Sequence, residues 1–160
     1  MKRSISLIAA TAALAAAAGC APSGPTAQPS AAAGSASSVA PIGTWTATIT
    51  KDDFVEAGLT DPGLTGENSG TFTFTVNDDG TYTETQQSDH PVRWPVFRGT
   101  WSAEGPQTIG LRTTFPTDFV GEHIVLEWSR SGDLLQLRVV SPPEPTLKVH
   151  FEAHPWQRVP

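Results

Sequence analysis

Apolar side chains recur at every second position in one segment after another of this chain. A pleated strand is the regular element that sorts such a pattern onto one face. Trp45, Ala47 and Ile49 alternate with Thr44, Thr46, Thr48 and Thr50, and Phe72, Phe74 and Val76 alternate with Thr71, Thr73 and Thr75. The period continues through Tyr82 and Glu84, then Phe97, Gly99, Trp101 and Ala103, then Ile109 and Leu111. Ile124, Leu126 and Trp128 follow it, then Leu135, Leu137 and Val139, and last Leu147, Val149 and Phe151. Strict alternation means half-buried strands with one wet face, and threonine on that face suits a pleated surface.

The punctuation between these segments is that of tight hairpins. Asn77-Asp78-Asp79-Gly80 and Arg130-Ser131-Gly132-Asp133 are strong turn sequences, and Ala103-Glu104-Gly105-Pro106 is a third. Four strands open on Gly-Thr-aromatic: Gly43-Thr44-Trp45, Gly70-Thr71-Phe72, Gly80-Thr81-Tyr82 and Gly99-Thr100-Trp101. The glycine allows a kink or a close approach, and the aromatic then points inward. One segment breaks the pattern. Residues 51–59 read as a short helix, with Thr50 or Asp52 as N-cap, acidic residues in the first turn and Gly58 as C-cap. Phe54, Ala57 and Leu59 form its apolar stripe, and its place between strands one and two lets it cover an end of the sheet.

About eight strands joined mostly by tight turns predict an all-β fold, an eight-stranded antiparallel up-and-down barrel that leaves no exposed edge. At the start of the first strand, Gly43-Thr44-Trp45 resembles the Gly-x-Trp signature of lipocalins and their calycin relatives. That resemblance implies that Trp45 packs at the closed end of the barrel. Arg158, near the last strand, would cover it. It also implies, without showing, that a small apolar molecule binds inside. The chain departs from those relatives in having one cysteine, so no disulfide forms within it.

That cysteine, Cys20, sets the expected location. Lys2 and Arg3, an apolar run over residues 5–18 and the small residues Ala17-Ala18-Gly19 before Cys20 have the layout of a secretory signal peptide. The run is too short to span a membrane. With Cys20 at the boundary the segment resembles the lipobox of bacterial lipoproteins, although Ala17 stands where leucine is more usual. The resemblance implies that residues 1–19 are removed and that Cys20 carries acyl chains such as palmitate, anchoring the protein to the membrane and facing out of the cytoplasm. The chain further resembles small actinobacterial secreted lipoproteins of unassigned function that end in a segment like His154-Pro155-Trp156. Residues 20–40 are Ala, Ser, Gly and Pro with few interruptions, too poor in apolar bulk to order themselves. They read as a tether with a reach on the order of 25 Å, leaving 41–160 as the folded domain.

Charge and motifs restrict the function. Loss of residues 1–19 removes Lys2 and Arg3 and no acid, so 10 basic residues become 8 against 16 acidic ones, and the formal charge falls from −6 to −8. The remaining cations are scattered, which gives nucleic acid no electrostatic footprint; the membrane is met through the anchor on Cys20. No nucleophile elbow, zinc-protease helix or phosphate loop occurs, and Asp52-Asp53 and Asp78-Asp79 are explained by a helix cap and a turn. The expectation is therefore a protein that is not an enzyme and carries no cofactor. His123 and His150 have outward parity, His90 and His154 adjoin prolines, and none has the spacing of a metal ligand set.

Two outcomes stay open for the interior, because an eight-stranded barrel can be filled by side chains or can hold one small ligand. If a ligand enters, Tyr82, Trp101 and Trp128 are the inward residues that would meet it, and Glu84 joins them if its strand runs that far but otherwise sits at the open rim, with Glu84, Tyr82 or Arg98 fixing its orientation. The segment 86–95, with His90, Pro91, Arg93 and Trp94, is the other place where aromatic and polar groups gather. If the core is solid, the protein is instead an envelope interaction module that docks on a protein partner.

Overall fold

The computed structural model describes residues 40–88, 90–91 and 94–160. Cys20, the signal segment and the tether up to residue 39 lie outside these, as does Arg93. Eight strands close into an antiparallel up-and-down barrel in which every neighbour in sequence is a neighbour in the sheet. They are β1 (Gly43–Ile49), β2 (Gly70–Val76), β3 (Thr81–Gln87), β4 (Phe97–Gly105), β5 (Thr108–Phe115), β6 (His123–Ser131), β7 (Leu134–Ser141) and β8 (Trp156–Arg158).

The alternation places its residues as the pattern requires. Trp45, Phe72, Phe74, Val76, Tyr82, Ile109, Leu111, Leu126, Leu135 and Val139 are buried. The threonines of β1 and β2 face one another across the outside: Thr44 pairs with Thr75, Thr46 with Thr73 and Thr48 with Thr71. Hydroxyl contacts of 3.2 Å and 3.1 Å join the outer two pairs, the cross-strand arrangement that stabilises a sheet. In β4 the inward set ends early. Phe97 and Gly99 are buried, but Trp101 is half-buried and Ala103 exposed, because pairing between β3 and β4 stops at Thr100.

The expected strand over Leu147, Val149 and Phe151 is a helix instead, α3 (Pro145–Glu152). Alternation over three residues also fits a helical face, and here Leu147, His150 and Phe151 stand at the i, i+3, i+4 spacing of one stripe. Pro145 at the first helical position was the sequence signal for it. The eighth strand is the three-residue β8, which pairs with β1 through Trp45 and Arg158 and with β7 through Leu135 and Trp156. Between β1 and β2 the chain forms two helices rather than one. The first, α1 (Lys51–Glu56), is capped by Thr50 in a reciprocal capping box with Asp53. Phe54 is fully buried, Leu59 half-buried and Ala57 exposed. The second, α2 (Pro62–Glu67), starts at Asp61, whose carboxylate accepts from the Leu64 N–H at 2.8 Å.

Topology makes the two ends unlike. The hairpins β2–β3, β4–β5 and β6–β7 turn tightly at one end. All four long connections, carrying α1 and α2, residues 88–96, a 3-10 turn (Thr117–Phe119) and α3, gather at the other. The tight end is solid. Trp45 Nε1 donates to the Pro41 carbonyl at 2.9 Å, and Ala40 beside it is buried. The guanidinium groups of Arg158 and Arg130 lie 5.7 Å and 5.4 Å from the centre of the Trp45 ring. Both guanidinium groups thus stand over the Trp45 ring.

Candidate functional site

At the helix-bearing end the barrel is not filled. A cavity of about 390 Å³ opens among β3, β5, the start of β6, the 3-10 turn and α3, within the about 300–1,000 Å³ usual for small-molecule sites. Tyr82, Leu111 and Thr113 form its wall toward the barrel; Trp94, Phe97 and Phe119 form an aromatic wall near the mouth. Ring centres in that wall are 5.1 Å apart for both Trp94–Phe97 and Phe97–Phe119. A larger depression of about 670 Å³ lies outside, over Thr48, Ser69, Thr71 and Gln87. Its lining is mostly polar, so a ligand there would stay wet; the interior cavity is the better site.

One polar pair stands on the cavity wall. Glu84, on β3, points inward by its parity with Tyr82 and is 7% exposed. Its Oε1 meets Nε2 of His150, from α3, which is 2% exposed. A carboxylate only accepts, so Nε2–H donates while Glu84 is ionised. The imidazole is fixed by rings: Trp94 stacks on it with centres 5.6 Å apart and planes 3° from parallel, and Phe72 meets it edge-on at 4.3 Å. Its Nδ1 has no hydrogen-bond partner among the described residues.

This placement overturns the outward reading of His150. Strand parity made it a surface residue; the helical turn of α3 carries it into the barrel. His123 is exposed as expected, and its Nε2 meets Glu104 at 2.8 Å. His154 is exposed too, with Nε2 at 3.0 Å and 3.1 Å from the Asp53 oxygens.

Electrostatics in and around the cavity are negative. Glu122 and Glu144 line it with Glu84, and no lysine or arginine does so among the described residues. Although Glu122 is largely exposed, partial desolvation of its carboxyl and then the charge of Glu144 raise it from its ordinary value. Burial also raises the Tyr82 phenol; a 3.0 Å hydrogen bond with the Thr113 hydroxyl pulls it back, and the charges of Glu84 and Glu122 push it up again.

Of the residues expected to meet a ligand, Tyr82 and Glu84 line this cavity together and Trp94 joins them. Trp101 sits at the tight end, where Nε1 donates to the Asn77 carbonyl at 2.7 Å. Trp128 is buried beside a separate depression bounded by β7 and residues 152–155. Arg98 is exposed, with its guanidinium over Phe115 at 5.9 Å, so it does not orient anything inside. Phe119, Glu122, Glu144 and His150 were not legible as site residues. They come from connections whose path the strand pattern does not specify.

A closed eight-stranded barrel with a solid end and a helix-covered cavity at the other is consistent with a calycin-like fold. No protein-family model, curated protein or solved structure matches this chain.

Proposed function

We propose that this protein is a lipid-anchored extracytoplasmic barrel that carries or senses a small organic ligand. The observation that carries the reading is the cavity of about 390 Å³ with the buried Glu84–His150 pair on its wall. A barrel selected only for stability gains nothing from either feature. An unfilled interior forgoes packing, and a buried hydrogen-bonded polar pair is often no better than well-packed apolar side chains of the same volume. Both make sense if a guest completes the site. Apolar surface on that guest contributes about 25 cal/mol for each Å² removed from water, and Glu84 and Tyr82 give it orientation. Acyl chains on Cys20 and the tether that follows would keep the barrel near the membrane surface. No bond-making step belongs to this reading.

Native mass spectrometry of the full chain, exported and gently purified from its own host, tests it. A discrete extra mass that leaves on denaturation is the expected result, with acyl mass on Cys20. A bare protein mass across growth conditions overturns the carrier reading and moves the function to an envelope protein partner.

A further inference from the structure

The geometry points to a small organic cation, a protonated amine or quaternary ammonium with an apolar body, as the ligand of the barrel cavity. This rests on the cavity being a ligand site, and it adds the ligand's charge.

Three carboxylates, Glu84, Glu122 and Glu144, line the space. Glu84 uses Oε1 on His150, and its Oε2 accepts no hydrogen bond among the described residues. Glu84 is thus a deeply buried acceptor on the cavity wall with one oxygen uncommitted. Glu122 and Glu144 are in no ion pair among the described residues. The two groups there able to carry positive charge are already engaged, His123 with Glu104 and His150 with Glu84. Arg112, on β5 near the mouth, is exposed and donates to the Gly121 carbonyl at 3.4 Å.

An anionic guest would enter against this field with no lysine or arginine to receive it among the described residues of the lining. A neutral guest would leave the carboxylates unanswered. A cation relieves their mutual repulsion, and its apolar body packs on Trp94, Phe97 and Phe119. Aromatic rings add to this, because their faces attract cations most strongly where water is excluded.

The test uses three benzyl probes, two of them isosteres, titrated into the purified full chain by tryptophan fluorescence and calorimetry. Benzyltrimethylammonium is the cation, neopentylbenzene its neutral carbon isostere, and phenylacetate the anion. The cation is expected to bind at least about tenfold more tightly than the neutral isostere, with phenylacetate weakest. Glu84→Gln should remove most of that preference. Glu122→Gln, at an exposed position that does not threaten folding, should reduce it by several-fold and weaken its dependence on salt. Equal or tighter binding of the neutral isostere overturns the cation and leaves the carrier reading standing. Silence from all three probes also overturns the cation. Native mass spectrometry then separates the two ideas, since a neutral or anionic guest carried from the host preserves the carrier and a bare mass removes both.

Discussion

Glu84 and His150 permit a prediction in which the double substitution is gentler than either single one. Glu84→Met removes the carboxylate and leaves an imidazole with both nitrogens unpartnered at a position 2% exposed. His150→Phe keeps ring contacts with Phe72 and Trp94 but leaves the Glu84 carboxylate buried without its donor. Breaking a buried pair costs about 3–5 kcal/mol. The adjacent cavity can admit water to Glu84, so each single change should fall near about 3 kcal/mol, the low end of that range. The double Glu84→Met, His150→Phe replaces both polar groups by apolar ones of similar volume, and should cost no more than either single. With a urea slope of about 1.5 kcal/mol per M, each single variant's midpoint drops by about 2 M, and the double lies at or above the better single. Urea unfolding followed by tryptophan fluorescence reads all four proteins. A double variant whose loss equals the sum of the singles would refute the coupling, and with it the view that the pair is kept for a guest rather than for the fold.

Gly99→Ala should destabilise by about 2 kcal/mol through overpacking, since an added Cβ would lie 2.1 Å from the Arg112 carbonyl oxygen and 2.5 Å from the Tyr82 ring; thermal unfolding checks it, and an unchanged midpoint would mean that the β4–β5 pairing, whose register shifts between Arg98 and Gly99, gives way freely. Burial alone would raise Asp53, but hydrogen bonds from the Thr50 N–H and hydroxyl, together with His154, outweigh it and hold the carboxyl below its ordinary value. A depressed carboxylate contributes stability that is present above its unfolded value and is lost as pH falls through the folded one. Asp53→Asn should therefore lower the urea midpoint at neutral pH and flatten its acid limb, so that variant and parent converge as pH falls, and an acid limb identical to that of the parent protein would assign the loss to other carboxylates.

How far the sequence reaches differs from element to element. Hairpins were legible because two signals agree there: alternation fixes the inward face, and Asp78-Asp79-Gly80 or Gly132-Asp133 fixes the turn. The strand count leaves closure open, since it takes residues 147–151 for a strand and misses the short β8 that joins β7 to β1; the Thr50–Asp53 capping box announced α1. Asp61-Pro62 and Glu144-Pro145 carried the same kind of start signal for α2 and α3. At α3 the signal lost to a three-residue alternation that a helical stripe satisfies equally well. That single ambiguity hid His150, because one more turn of helix or one more strand residue decides whether it faces solvent or Glu84.

The sequence by itself determined most of the sheet: seven of its eight strands, their inward faces and their hairpins. Those are properties of neighbours in the chain, set by side-chain period and by turn residues with local conformational demands. Only the tertiary structure decided where the barrel is hollow. The cavity is bounded by residues from three connections and four strands that lie up to 69 positions apart, and no local rule ties Tyr82 to Phe151. Packing is a property of the volume those segments enclose together, and volume has no counterpart in a linear pattern.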